Sequence, residues 1–335
     1  MTDHTPIVRL APAKLNLTLA VLGRRRDGFH DLHSVMVPLA LADRLSVARA
    51  AGKHDSLHVT GGPDGSTPLD ASGYGSVLKG IDEARRVVGR GADTFPLAVR
   101  LEKRIPVAAG LAGGSSDGAA AIEAAIEAWG ADVDRQGRAK AAAATGSDVP
   151  FFLAGGPALI EGRGEKVTPL AGIQGTAPGV LLVTPAVEAS TRRAFEVFDR
   201  DPAAQPGFRG STRLSSEHLA QELGPTYTPM DAQALASRSG VFAVANDLAK
   251  AADLIVPGLR ELRRALTRLL GTQIGLSGSG PTLWALYPSL DGAEAAAEKV
   301  RSELALGTLD APGNAPPFVA ATTIVSPASP PRRTE

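Results

Sequence analysis

One glycine-rich stretch dominates the sequence: Arg104-Ile-Pro-Val-Ala-Ala-Gly-Leu-Ala-Gly-Gly-Ser-Ser-Asp117. Its glycines let neighbouring backbone N–H groups crowd together, and a helix that starts there adds partial positive charge. Ser115 or Ser116 is predicted to cap that helix. Loops that open a helix in this way commonly bind phosphate. The stretch therefore predicts an anion site, and a nucleotide phosphate is the commonest anion for such a site.

Two better-known phosphate loops are absent. No Gly-x4-Gly-Lys-Ser/Thr segment occurs in the chain, and the stretch does not read Gly-x-Gly-x-x-Gly after a strand. A turn that merely connects a strand to a helix is the simpler alternative. The phosphate interpretation is favoured because three glycines and two serines fall within seven residues, and Lys103 and Arg104 lie just upstream.

The composition is that of a folded protein. The chain has 335 residues, 44% hydrophobic and 21% charged, which suits two domains of about 150 residues each. The absence of cysteine excludes disulfides and thiol catalysis. Zero net charge and the lack of a basic, aromatic-rich run argue against nucleic-acid binding. No apolar stretch approaches the length of a membrane span, so we expect a cytoplasmic protein without a membrane partner.

The coarse organisation is typical of an α+β protein, because strands and helices occur in blocks rather than in strict alternation. We expect an N-terminal domain over residues 1–170, with a mixed sheet and helices. A C-terminal domain over residues 171–325 is expected to form a ferredoxin-like split βαβ layer. Residues 199–229 are predicted to form a long surface loop, and residues 326–335 a disordered tail.

Two predicted strand regions frame the N-terminal half. Residues 13–21 alternate in polarity, which predicts a half-buried strand with Lys14 and Asn16 on one face, about 7 Å apart. Residues 34–39 and 44–48 are predicted to form two further strands of a meander.

A carboxylate and an amine are the best candidates for chemistry. Asp148 follows a predicted helix, and Pro150 stiffens the backbone around it, although a cap or turn role is the simpler interpretation. A stiffly held carboxylate suits a general base. Lys14 would keep it ionised and could stabilise charge on a transferring phosphoryl group. Beside a phosphate loop, the pair indicates a phosphotransferase.

Motifs along nearly the whole chain resemble the signatures of the galactokinase/homoserine kinase/mevalonate kinase (GHMP) superfamily. They are Pro12-Ala-Lys-Leu-Asn-Leu17, Pro106-Val-Ala-Ala-Gly-Leu-Ala-Gly-Gly-Ser-Ser116 and Gly278-Ser-Gly-Pro281. Further motifs resemble, more narrowly, the kinases that act on 4-diphosphocytidyl-2-C-methyl-D-erythritol. These are Arg26-Asp-Gly-Phe-His30, Gly146-Ser-Asp-Val-Pro150 and Glu161-Gly-Arg-Gly-Glu165. The resemblance implies the two-domain GHMP-kinase fold and ATP-dependent phosphorylation of that compound at its 2-hydroxyl, a step toward isoprenoids.

The resemblance also implies roles for individual residues. Lys14 and Asp148 match the catalytic pair, with Asp148 as base. The ATP phosphate loop corresponds to Pro106, Val107, Ala108, Ala109, Gly110, Leu111, Ala112, Gly113, Gly114, Ser115 and Ser116. Mg²⁺ is expected because ATP brings it, and Ser115 or Ser116 could touch it; no dedicated metal cluster is visible in the sequence.

Substrate contacts follow from the same resemblance. Asn16, Lys103 and Thr191 fall where the family binds the erythritol and phosphate portions. Three more residues fall around the cytosine: Phe29 and Phe195 to stack on the base, and His30 to read its polar edge. Phe29 stands where tyrosine is common in the family. The protein is expected to act as a monomer or a homodimer.

Three alternatives compete with this interpretation. Gly114-Ser-Ser-Asp-Gly118 matches a serine-hydrolase elbow with Ser116 as nucleophile. It is disfavoured because a long loop separates it from its strand and His218 is the only histidine that follows. A nucleotide-binding protein without catalysis would need neither Lys14 nor Asp148. A sibling kinase for homoserine or mevalonate would not need rings placed for a base.

Overall fold

The computed structural model describes residues 5–62, 67–89, 94–201, 210–224 and 230–326. The strands are β1 Ile7–Asn16, β2 Ala20–Arg24, β3 His30–Arg49, β4 Ser56–Gly61, β5 Thr67–Leu69, β6 Leu97–Glu102, β7 Ala158–Gly162, β8 Lys166–Pro169, β9 Gly179–Thr184, β10 Gly275–Leu276, β11 Leu283–Tyr287 and β12 Phe318–Thr323. The helices are α1 Gly75–Val88, α2 Gly113–Ala128, α3 Arg135–Thr145, α4 Val149–Phe152, α5 Thr191–Asp199, α6 Gly210–Glu222, α7 Ala232–Ser237, α8 Ser239–Ala243, α9 Ala249–Ile255, α10 Leu259–Leu270 and α11 Leu290–Ala305.

The first sheet is organised around β3. Its central path runs β5-β4-β6-β3-β7-β8, and β1 and β2 also pair with β3. The prediction of separate strands at 34–39 and 44–48 is wrong, because β3 is continuous over 20 residues. Pro38, which breaks the strand pattern in the sequence, pairs with Lys14 beside a bulge in β1, where the ladder tolerates a proline.

Helices α1, α2 and α3 cover one face of this sheet and share its apolar core. Alanine-rich α2 lies close to α1, and a side chain at Gly80 would meet the backbone carbonyl of Gly118 at 2.6 Å. The small residues of α2 therefore permit the close approach of α1 and α2.

The second sheet confirms the ferredoxin-like prediction. Its order is β10-β11-β9-β12 with all neighbours antiparallel, as a βαββαβ path produces. Alternate residues of β9 enter different cores: Leu181 and Val183 face the outer helices, whereas Val180 and Leu182 join a cluster with residues of β1 and β3. One apolar core thus runs between the two sheets. The proposed domain boundary near residue 170 falls between β8 and β9 and stays a prediction.

The region predicted as a long surface loop contains a helix. Residues 199–229 include the 13-residue helix α6, so the loop prediction is wrong there, while residues 202–209 and 225–229 lie outside the described residues. Helix α6 buries Thr212, Ser216 and Leu219, a mostly polar face that gives little apolar periodicity. Most of the predicted tail, residues 327–335, also lies outside the described residues; Ser326 accepts a hydrogen bond from the Ile173 N–H at 3.1 Å.

The first strand differs from its prediction in both bounds and burial. β1 ends at Asn16, and the chain then turns into β2 instead of continuing to residue 21. Residues 13–17 are all buried: Ala13, Leu15 and Leu17 join the apolar core shared with the second sheet, and the backbone at Gly278 lies against the side chains of Lys14 and Asn16. No helix within the described ranges combines the length and apolar character that a membrane crossing needs.

Candidate active site

The three sequence motifs meet through backbone hydrogen bonds. The Lys14 N–H on β1 donates to the Leu111 carbonyl at 3.0 Å, and the Ser277 hydroxyl donates to the Gly110 carbonyl at 3.0 Å. Gly110 has φ +77°, and a side chain there would collide with the Ser277 carbonyl oxygen. The loop is therefore clamped between the first strand and the turn that precedes β11.

A cleft of about 590 Å³ opens at this junction. Most of the residues that the sequence singled out line it. They are Lys14, Asn16, Lys103, Pro106, Val107, Ala108, Ala109, Gly110, Ala112, Gly113, Gly114, Ser115, Asp148, Thr191 and Phe195. Phe29, His30, Leu111 and Ser116 are not part of the lining.

The loop enters α2 differently from the prediction. The N-cap position is Ala112, whose φ of 53° is left-handed, and no side chain caps the helix. Ser115 and Ser116 lie inside the first turn, so the serine-cap prediction is wrong. The first N–H groups of a helix have no partner inside it, and here Gly113 and Gly114 carry them to the wall of the cleft. This geometry suits an anion.

Ser116 cannot act as an accessible nucleophile. Its side chain is 1% exposed, and its hydroxyl oxygen has no hydrogen-bond partner within the described structure. The hydrolase alternative requires that hydroxyl to face substrate, and the structure contradicts it.

Lys14 is a buried cation whose charge is only partly compensated. It is 3% exposed, and its ammonium donates to Asn16 Oδ1. Burial lowers the pKa of Lys14, and the nearby Asp148 carboxylate opposes that shift. Gly278, at φ +57°, brings its backbone against this group, and a Cβ there would stand 3.1 Å from Lys14 Nζ.

Asp148 occupies the N-cap position of α4, but its carboxylate does not cap the helix. Pro150 occupies the first turn, as the sequence indicated. The half-buried carboxylate is thus held on a stiff corner and lines the same cleft as Lys14. Lys14 therefore places a positive charge near the Asp148 carboxylate.

Lys103 has a different environment. Its ammonium is paired with Asp43 and, at 2.7 Å, with Asp117. Burial disfavours the ammonium, but the two carboxylates outweigh burial and raise the pKa of Lys103. For Asp117, burial raises the pKa to about 7 and repulsion from Asp43 adds to it, against the attraction of Lys103. Asp43 also accepts the Arg104 N–H at 2.6 Å, which ties this cluster to the start of the loop.

The three predicted base-binding residues are only partly together. The His30 imidazole stacks on Phe195 with centroids 4.6 Å apart, and its Nε2 lies 2.7 Å from an Asp199 oxygen. Phe195 lines the cleft. Phe29 is 47% exposed and lies under the Arg163 guanidinium, 5.2 Å from it.

Sequence reasoning missed two residues that shape the site. The Asn246 amide donates to the carbonyls of Leu276 and Gly278, both at 2.9 Å, and so holds the turn that presses on Lys14. Tyr74 lines the cleft with its ring 5.6 Å from Lys103 Nζ. The only sequence signal for Asn246 was the Asn-Asp pair that it forms with the next residue ahead of α9. No sequence signal marks Tyr74. Across the described ranges, no group of three or more His, Cys, Asp or Glu residues is arranged to hold a metal ion.

Comparison with known proteins agrees with this architecture. The models "GHMP kinases N terminal domain" and "GHMP kinases C terminal" match residues 76–156 and 230–306. A 4-diphosphocytidyl-2-C-methyl-D-erythritol kinase of Streptomyces avermitilis is 38% identical over 300 residues, which cover 89% of this chain and 92% of the relative. Its counterpart from an Anaeromyxobacter species is 36% identical, with 88% of this chain and 87% of the relative covered.

Solved structures extend the likeness. The crystal structure of a 4-(cytidine 5'-diphospho)-2C-methyl-D-erythritol kinase matches with a TM-score of 0.66 at 29% identity, over 95% of this chain and 99% of that one. A homoserine kinase from Cytophaga hutchinsonii shares the fold at 17% identity, with a TM-score of 0.63 over 97% of this chain and 96% of that one. By its relatives and its architecture, the chain belongs to the 4-diphosphocytidyl-2-C-methyl-D-erythritol kinase family of GHMP kinases.

Proposed function

We propose that this enzyme transfers the γ-phosphoryl group of ATP to the 2-hydroxyl of 4-diphosphocytidyl-2-C-methyl-D-erythritol, a step toward isoprenoid precursors. One observation carries the mechanism: Lys14, Asp148 and the start of α2 line a single cleft. A base, a cation and a phosphate site within one cleft are the parts that direct phosphoryl transfer needs.

The donor end is assigned to the loop and α2. The N–H groups at the helix start favour the ATP phosphates. The ammonium of Lys103, which was expected to bind the substrate, lies in the same wall but is already paired with Asp43 and Asp117. Mg²⁺ is proposed to arrive with ATP, and Ser115 in the cleft wall would supply an oxygen ligand of the kind it prefers. When bound, the ion would neutralise charge on the phosphates.

The transfer itself is assigned to Asp148 and Lys14. Asp148 accepts the proton of the 2-hydroxyl while that oxygen forms its bond to the γ-phosphorus. The bond from the γ-phosphorus to the bridging oxygen breaks, and ADP leaves without a phospho-enzyme. Lys14 keeps Asp148 ionised and stabilises charge on the phosphoryl oxygens.

The acceptor end is assigned to Asn16, Thr191, His30, Phe195 and Phe29. A neutral imidazole that donates its Nε2 proton to Asp199 has Nδ1 as an acceptor, which matches the amino group of cytosine. The Phe195 ring in the cleft wall offers a face for the base. Phe29, outside the lining, would need to move toward Phe195 to complete a sandwich.

The test is an ADP-release assay with three acceptors side by side: 4-diphosphocytidyl-2-C-methyl-D-erythritol, mevalonate and homoserine. We expect turnover with the first alone, and a new phosphorus resonance of a monoester on a tertiary oxygen by ³¹P NMR. ADP release from mevalonate or homoserine, with none from the cytidylyl compound, would refute the assignment.

A further inference from the structure

A chain of buried hydrogen bonds lies behind the lysine of the cleft. The Lys14 ammonium donates to Asn16 Oδ1, and Asn16 Nδ2 donates to the Ser34 hydroxyl oxygen at 2.9 Å. Ser34, on β3, donates in turn to the Thr18 carbonyl at 2.5 Å. All four residues are buried. Every polar atom in this chain must therefore be satisfied by its neighbours rather than by water.

Only one assignment of donors and acceptors satisfies this series of hydrogen bonds. A serine hydroxyl has a single proton, and the Thr18 carbonyl, which can only accept, takes it. The Ser34 oxygen is then an acceptor for Asn16, so the NH₂ group of the amide must face Ser34. The carbonyl oxygen of the amide consequently faces Lys14. The reverse orientation would place two sets of donors, the NH₂ and the ammonium, against each other.

The far end of the chain is anchored in the C-terminal half. The Thr18 hydroxyl accepts the Val35 N–H at 3.1 Å and lies 2.7 Å from the hydroxyl of Ser216 on α6. Ser216 is in turn 2.8 Å from His33 Nδ1. Because these contacts hold Thr18 in place, its carbonyl is a fixed acceptor for Ser34.

We propose that Ser34, which does not line the cleft, is a positioning residue for phosphoryl transfer: its hydroxyl fixes the amide of Asn16, and that amide aims the Lys14 ammonium. The proposal rests on the proposed function for its kinetic consequence, but not for its effect on Lys14 itself. Without the hydroxyl, the amide of Asn16 loses the acceptor that determines its orientation, and Lys14 loses a reliable acceptor.

The first experiment compares Ser34→Ala with Ser34→Thr. Alanine leaves a buried amide donor unsatisfied, so we expect kcat to fall about 10- to 100-fold with the KM for ATP unchanged. Threonine keeps the hydroxyl and should restore kcat to within about threefold of wild type. A role in packing alone predicts the opposite order, because threonine adds a methyl group at a fully buried site. Ser46→Ala, on the same strand and outside the cleft lining, is the matched control.

A double-mutant cycle keeps the proposal testable if threonine does not fit. In an Asn16→Ala background, Ser34→Ala should cost no further kcat, because the residue through which it acts is gone. Additive losses from the two substitutions would overturn the proposal.

The last readout needs no substrate. With lysine labelled at its ε-carbon, ¹³C NMR follows the titration of Lys14 in the free enzyme. Loss of an acceptor disfavours a buried ammonium, so Ser34→Ala should lower the pKa of Lys14 below its wild-type value. An unchanged pKa would overturn the proposal even if turnover fell. Absence of wild-type turnover on the cytidylyl substrate would refute the proposed function and leave this result standing.

Discussion

Two buried lysines line the same cleft, and their surroundings differ. Lys103 contacts two carboxylates, whereas Lys14 contacts an amide and has the carboxylate of Asp148 only as a longer-range neighbour. The pKa of Lys103 is raised and that of Lys14 is lowered. The positive charge of Lys103 is therefore balanced by Asp43 and Asp117, whereas the charge of Lys14 is only partly balanced within the protein.

Within one site, one lysine can thus stabilise the fold while another is kept for the reaction. A cation that is fully paired inside the protein braces the loop but has less charge left for a transition state. A cation that is underpaired costs stability in the free enzyme and gains its partner only as charge develops on the phosphoryl group. Substitutions at these two positions should therefore have opposite signatures.

The largest expected effect is that of Asp148→Asn. This change removes the base and the carboxylate that supports the ammonium of Lys14, so we expect kcat to fall by about 10²- to 10⁴-fold. Circular dichroism should show an intact fold. A variant that keeps near-wild-type turnover in the ADP-release assay would disprove the assignment of the base.

Exchange of each lysine for methionine tests the comparison directly. Lys103→Met leaves Asp43 and Asp117 buried without a cation, which should lower the free energy of unfolding by about 3–5 kcal/mol. Lys14→Met removes a desolvated charge, so its free energy of unfolding should equal or exceed that of wild type, while kcat falls by about 10²- to 10³-fold. Urea denaturation measures the free energy of unfolding of each variant, and the ADP-release assay measures kcat. Equal destabilisation by both substitutions would show that the two environments do not differ as described.

The third prediction concerns pH. Asp117 has its pKa raised from 3.8 to about 7, so the folded protein binds its proton more tightly than the unfolded chain. The corresponding stabilisation is complete below about pH 4 and is lost as the pH rises through about 7. Asp117→Asn removes this dependence. Between pH 4 and pH 7.5, the unfolding free energy of the variant should therefore rise relative to wild type. Parallel pH curves would contradict the burial-driven shift.

The smallest expected effect concerns backbone strain in the glycine-rich loop of residues 106–116. Ala108 and Ala112 have φ of 52° and 53°, a region that costs a residue with a Cβ about 1–2 kcal/mol. Glycine relieves that strain but adds entropy to the unfolded chain, so Ala108→Gly should stabilise the protein by about 0.5–1 kcal/mol. Ala109→Gly, in the same loop without positive φ, should destabilise it. Thermal denaturation of the pair checks the opposite signs, and a loss of stability in Ala108→Gly would refute the strain.

Sequence alone was sufficient where a function is encoded in consecutive residues. The loop of residues 106–116, Lys14 beside Asn16, and Asp148 before Pro150 all lie in short patterns, and the structure brings Lys14, Asn16, Asp148 and most of the loop to one cleft. The ferredoxin-like layer of the C-terminal half was also predicted from the sequence. Their roles in catalysis and binding stay predictions until the variants are made.

The rest depends on contacts between distant residues. Ser34 acts on an amide 18 positions away, and Asn246 holds a carbonyl 32 positions away, so neither has a local signal. Helix α6 was not predicted because two of its three buried residues, Thr212 and Ser216, are polar, so the sequence shows no apolar stripe there. The continuity of β3 depends on pairing with four other strands, β1, β2, β6 and β7, which no local stretch of sequence contains.

The two-faced strand β9 also has a mechanical consequence. Val180 and Leu182 are buried in one core with residues of β1 and β3, so a hinge that parted the sheets would expose that apolar surface at about 25 cal/mol per Å². The floor of the cleft is therefore rigid. Among the residues that line the cleft, Val107 is 63% exposed and Ser190 is also exposed. A change in the width of the cleft that keeps the shared core buried must therefore come from exposed segments such as these rather than from the movement of whole halves.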